Sequence, residues 1–156
     1  TDVTLEELAA IFSTATNWSD VRPEWPNEPI LRFSPGTDSG TFDYFVEAVM
    51  TSTMDDEATE DVDEGQQAIL ESAGTQFSED DNVLVQGVEG SPYAIGYFGY
   101  AYYIAHKDKM RAVPILNPQG KEVSPSIEAV NDGSYQPLSR PLFIYVRDTA
   151  AARPEV

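Results

Sequence analysis

The sequence predicts an α/β domain in which helices flank a mixed sheet, and three observations carry that reading. Helix-like and strand-like segments alternate along all 156 residues instead of segregating into blocks. The predicted strands are short and apolar on both faces, the pattern of strands covered by helices above and below. The length suits one unit with its own core, and 41 % hydrophobic residues with two Trp, eight Tyr and seven Phe supply that core.

Each element has a local warrant. Thr4 followed by Glu7 has capping-box spacing, and Leu5, Leu8, Ile11 and Phe12 recur at helical intervals, which predicts a capped amphipathic helix over 4–13. Residues 17–27 set Pro23, Pro26 and polar turn formers around Trp18 and Trp25, and read as a loop pinned by its indoles. Residues 29–33 read as a strand. The small-residue stretch 34–41 then leads into Phe42, Phe45, Val46, Val49 and Met50 at helical spacing, giving strand, tight loop and helix in succession. Residues 55–64 carry seven acidic side chains in ten and read as a solvated loop or exposed helix start.

A helix over 64–72 ends at Gly74, since a left-handed cap costs least at glycine. Asp80 or Asp81 caps a further helix containing Val83, Leu84, Val85 and Val88, closed by Gly90 and Pro92. Residues 94–98 read as a buried strand, 99–106 as a helix and 111–116 as a strand. The turn Asn117-Pro118-Gln119-Gly120 leads to an edge strand over 121–123. Ser124-Pro125 opens a helix with Pro at its first position, and residues 141–146 form a last apolar strand before a polar tail.

Charge narrows the function classes. Acidic residues outnumber basic ones 27 to 9, for a net charge of -18, so duplex nucleic acid and anionic membranes are poor partners. Only three of the nine basic residues are Lys, a balance we associate with salt-rich habitats. The absence of cysteine removes disulfides, thiolate metal sites and a Cys nucleophile. No apolar run approaches the roughly 20 residues of a membrane span. Thr1-Asp2-Val3-Thr4-Leu5 already reads as a helix start rather than a signal peptide, so the expectation is a mature chain or an excised piece.

The stretch that carries chemistry is Gly36 to Thr41. A small-residue loop between strand and helix aims several unpaired backbone N–H groups at one point, where an oxyanion fits. The Ser39 and Thr41 hydroxyls add donors, and Gly40 permits close backbone approach. A plain helix cap by Ser39 or Thr41 arises from the same orphan donors, so spacing alone does not separate capping from anion binding.

Asp38-Ser39-Gly40-Thr41 also matches an aspartic-protease signature, which requires a second copy from a homodimer partner so that two carboxylates share a proton. A serine-hydrolase elbow is absent, and His106, the only imidazole, reads as a surface side chain. The acidic run lacks the glycine and alternating oxygens of a calcium loop, so no metal is expected. Tyr93, Tyr97, Phe98, Tyr100, Tyr102 and Tyr103 form an aromatic cluster that suits core and rim packing better than ligand stacking.

Four ordered blocks, at 36–45, 80–88, 94–102 and 137–142, together with 5–12 and 17–21, resemble the PstS family of phosphate-binding proteins over nearly the whole chain. The resemblance implies one lobe of a type II periplasmic-binding-protein fold, with residues 1–156 forming a single phosphate-binding lobe. It implies no catalysis and no cofactor. Inorganic phosphate, the second lobe of the same protein and the ABC permease of a phosphate importer are the implied partners. The implied location is periplasmic or extracellular, with membrane anchoring in the full-length protein left open.

By resemblance, Ser39, Gly40 and Thr41 match the family's anion loop, and Thr37 and Asp38 belong to a longer loop variant similar to that of a cyanobacterial-type branch. Many members place an Arg four residues before the Ser, where this chain has Pro35. Arg32, seven residues before Ser39, and Arg140, in a stretch resembling the return hinge, are the candidates for that charge. Asp38 is a candidate acceptor for the ligand's proton, a brace for the loop amides, or a partner for Arg32. A stand-alone anion-sensing or protein-interaction module is the alternative from another class.

Overall fold

A computed structural model describes residues 2–53 and 62–140. The chain opens with α1 (Leu5–Ile11), whose capping box is formed as the spacing predicts: the Glu7 amide donates to Thr4 Oγ1 at 3.1 Å and the Thr4 amide to Glu7 Oε2 at 2.9 Å. The expected loop that follows contains one helical turn, α2 (Trp18–Val21). Its cause is Asp20, which accepts from the Thr16 and Asn17 amides at 2.9 and 2.7 Å and closes the turn. The indoles do pin the segment: Trp18 donates to the Tyr93 carbonyl at 3.1 Å and stands edge-on to Trp25.

β1 (Leu31–Pro35) is the central strand, two residues further along than expected. It pairs in parallel with β2 (Thr75–Ser78) on one side and β3 (Ala94–Gly96) on the other. β2 falls where no strand is expected, because an edge strand of Thr, Gln, Phe and Ser joins the sheet through its backbone and needs little apolar content. The antiparallel part of the mixed pattern is separate, a pair formed by β4 (Ile115–Leu116) and β5 (Glu122–Val123) across the predicted turn. Of the strand expected over 111–116 only the last two residues pair with β5; Val3 flanks the same residues, accepting from the Leu116 amide and donating to the Pro114 carbonyl.

Period-2 alternation along β1 assigns its two faces. Phe33 points to α5 (Asp81–Glu89), where it lies against Gly87, and Asp80 caps that helix through the Asn82 amide. Arg32 and Ser34 point to the opposite face, towards α1 and the helix that starts at α3 (Gly40–Phe45) and continues as a π-helical stretch over Val46–Thr51. The core lies on this second face: Ile11, Phe12, Phe42, Val46, Val49 and Met50 are buried there with Ile69 of α4 (Val62–Leu70). α4 ends at Leu70, earlier than the expected 72, so Gly74 is not its cap; the glycine's φ of +78 belongs to the turn that leads into β2.

α6 (Tyr100–Ala105) matches its predicted span closely. α7 (Ile127–Asn131) starts two residues after Pro125, because the Ser126 hydroxyl accepts from the Ala129 amide at 3.0 Å and takes the cap that Ser124 was expected to hold. Among the described residues no helix is long and apolar enough to cross a membrane. Most of the acidic run, 55–61, and the strand expected over 141–146 lie outside the described residues.

Candidate anion-binding site

Three parallel strands that end at one sheet edge bring their following loops together, and ligand sites of open α/β sheets form at that edge. The loop after β1 runs through Gly36, which is buried against Glu79, to Thr37 and Asp38, which are exposed. Ser39 caps α3, accepting from the Thr41 amide at 3.2 Å, and its carbonyl accepts from the Asp43 amide at 3.1 Å. Capping is therefore realised. The amides of Thr37, Asp38 and Gly40 have no acceptor among the described residues, so donors remain at the space above the turn. The Thr41 amide, expected among the free donors, is occupied by the Ser39 cap.

The two candidate guanidinium groups have separate fates. Arg32 is wholly buried, and its Nε, Nη1 and Nη2 donate to the carbonyls of Ile11, Ala73 and Ala15, with Ile30 O at 3.5 Å from Nη1. The expectation that it reaches the loop or pairs with Asp38 is corrected: its donors are spent on the backbone beneath the sheet. Burial also pushes its pKa down, the usual effect of removing a charged group from water. Arg140 is brought to the loop. It is exposed, its Cζ lies 5.0 Å over the Tyr44 ring, and a Cβ placed on Gly40 would meet its Nη2 at 3.4 Å. No carboxylate among the described residues pairs with it.

Beneath the turn, the Ser34 hydroxyl and the Tyr97 phenol lie 2.7 Å apart, and the Tyr97 ring stacks on Phe45 with centroids 4.0 Å apart. Burial pushes the Tyr97 pKa far up, so that phenol stays neutral. A cavity of about 270 Å³ opens beside Thr41 and Tyr44, walled by Tyr97, Tyr100 and Tyr103. Of the aromatic cluster, Tyr97 packs on the core against Phe12 and Phe45, while Tyr100 and Tyr103 face the cavity. His106 is half-buried and tied to Glu89 Oε1 at 2.7 Å, a firmer role than a surface side chain.

Tyr44 is the residue that sequence reasoning missed. Its hydroxyl donates to the Pro137 carbonyl at 2.5 Å and stands 3.1 Å from that of Ser139. The available signal was its position one helical turn after Gly40, which puts both on one face.

An α/β lobe with free amides and a guanidinium at the carboxyl edge of its sheet has the make-up of a solute-binding lobe. The chain belongs to the PBP superfamily, whose domain model matches residues 1–154. It is 46 % identical to Protein SphX of Synechocystis over 96 % of its own length and 41 % of that protein. It is 38 % identical to the phosphate-binding protein PstS of Staphylococcus saprophyticus over 94 % of its length and 40 % of that protein. The resemblance to the PstS family read from the sequence is thus borne out.

Among solved structures, a possible phosphate binding protein from Planctomyces limnophilus superposes with TM-score 0.70 at 37 % identity, over 90 % of this chain and 45 % of that one. A protein from Clostridium perfringens assigned as a phosphate ABC transporter substrate-binding protein, solved with bound phosphate, superposes with TM-score 0.62 at 27 % identity, over 86 % of this chain and 46 % of that one. The type II periplasmic-binding-protein fold class follows. The chain spans about two-fifths of the length of the relatives it matches. The family is one of binding proteins and not of enzymes, so Asp38 is not half of a protease dyad.

Proposed function

We propose that this chain is one lobe of a phosphate-binding protein that serves an ABC importer, and that phosphate is held at the turn Ser39-Gly40-Thr41. The observation that carries the reading is the coincidence, at the carboxyl end of the central strand, of unpaired amides at Thr37, Asp38 and Gly40 with the Arg140 guanidinium. Amide donors and a guanidinium complement a tetrahedral oxyanion in charge and direction. The Ser39 hydroxyl keeps its own proton to donate while its oxygen caps the helix, and the Thr41 hydroxyl has no partner among the described residues. Asp38, exposed beside the turn, is the acceptor for the proton that distinguishes phosphate from sulfate.

The similarity to proteins named for phosphate binding supports the ligand, and the covered share of those proteins supports a second lobe elsewhere in the full-length protein. Binding proteins of this kind close two lobes around the ligand, so one lobe alone holds it weakly. Delivery to a membrane permease and a periplasmic or extracellular location, with or without an anchor, belong to the same proposal. The net charge of -18 does not oppose an anionic ligand, because directed hydrogen bonds in a closed cleft outweigh a surface field that salt screens within about 8–10 Å. Calorimetric titration of phosphate and sulfate into this chain and into the full-length protein tests the reading. Tight binding of phosphate over sulfate by the full-length protein is expected, with weak binding by the lobe; absence of binding in both contradicts it and favours an interaction module.

A further inference from the structure

The residues that hold Arg140 at the turn form a second layer of this site. We infer that Tyr44 is a positioning residue: it fixes the Arg140 guanidinium above Gly40, and so sets how strongly the site grips its anion. The inference rests on the phosphate reading of the Ser39-Gly40-Thr41 turn. Tyr44 lies one helical turn from Gly40, on the same face of the helix. The ring lies under the Arg140 guanidinium, with Cζ 5.0 Å from its centroid.

Its hydroxyl adds a separate restraint on the backbone that carries Arg140. It donates to the Pro137 carbonyl at 2.5 Å and sits 3.1 Å from the carbonyl of Ser139, the residue immediately before Arg140. Gln136 braces the same segment, its Nε2 lying 3.2 Å from Ser139 Oγ and 3.4 Å from the Ser139 carbonyl. Ser139 itself is buried, so the segment is anchored right up to the exposed arginine. One side chain therefore grips both the side chain and the supporting backbone of Arg140. Gly40 lies close beneath, since a Cβ there would come within 3.4 Å of Arg140 Nη2. A long, exposed arginine without such restraint loses rotamer entropy on binding, and pre-positioning removes that cost beforehand.

The test is a double-mutant cycle on the full-length protein, read by calorimetry with inorganic phosphate. Tyr44→Phe keeps the ring and removes only the hydroxyl, so the fold is retained; a thermal unfolding midpoint checks this. Phosphate binding is expected to weaken about fivefold in Tyr44→Phe, the scale of one net hydrogen bond. It weakens about 10- to 100-fold in Arg140→Ala, the scale of a charged one. In the Arg140→Ala background, Tyr44→Phe is expected to have no further effect, because its influence runs through the arginine. Equal weakening in both backgrounds, or unchanged affinity in Tyr44→Phe, overturns the positioning role. Ser39→Ala, measured alongside, separates the two failures: weakening there with no Tyr44 effect removes only this inference, whereas no effect of Ser39→Ala or Arg140→Ala removes the site and the inference together.

Discussion

Arg32 and Arg140 carry the same guanidinium into opposite environments, and the difference decides what each contributes. Arg32 spends its donors on the backbone carbonyls of Ile11, Ala15 and Ile30, which lie in the buried core, and on that of the more exposed Ala73. Arg32→Ala is expected to cost more than about 3 kcal/mol, because it opens a cavity and strands several buried acceptors; equilibrium urea unfolding measures it. A loss below about 1 kcal/mol would contradict this account of the interior. Arg140→Ala, by contrast, is expected to leave stability nearly unchanged and, on the proposed function, to weaken phosphate binding. The family resemblance singled out both arginines but not which one faces the turn, since Arg140 meets Gly40 only through tertiary folding. Tyr44 was hidden for the same reason: a tyrosine on an amphipathic helix reads as packing until its acceptors at Pro137 and Ser139 are seen.

Elements whose signals are local were legible, and those that depend on neighbours were not. The capping box of α1 and the Asp80 cap of α5 follow from residues within one turn of one another. Edge strand β2 and the turn α2 depend on β1 and on the Asp20 carboxylate respectively, so no periodicity announces them. The helix α5 packs on β1 through Gly87, where a Cβ would stand 2.0 Å from the Phe33 ring. Gly87→Ala gains about 1 kcal/mol of helix propensity but forces a buried ring to move at about 1–3 kcal/mol or more. The net expectation, read by thermal unfolding, is a lower midpoint; a raised midpoint would contradict this packing.

Between α1 and α2, the Arg22 guanidinium bonded to Glu7 holds that carboxyl below its usual range. A depressed carboxylate stabilises the fold above its unfolded pKa and loses that contribution as pH falls through the folded value. The wild-type chain is therefore expected to exceed Glu7→Gln in stability at about pH 6, with the gap closing towards about pH 3. A gap independent of pH would show that the charge on Glu7 is immaterial.

At the scale of the whole molecule, the α/β class was legible because alternation of helix and strand and doubly apolar strands survive small errors in boundaries. The parallel pairing of β2, β1 and β3 was not, yet it is what gathers the loops after these strands on one edge. That edge carries free amides and one guanidinium, which on the proposed function face a phosphate that a second lobe covers from the other side. The central claim is that phosphate sits on Ser39-Gly40-Thr41. Ser39→Ala combined with Thr41→Val in the full-length protein, titrated with phosphate, tests it most directly. The account predicts a loss of about 1–3 kcal/mol in binding free energy, as for donors withdrawn from a charged acceptor, alongside a lowered unfolding midpoint from the lost Ser39 cap, worth about 0.5–2 kcal/mol; unaltered phosphate affinity would contradict it and move the anion elsewhere.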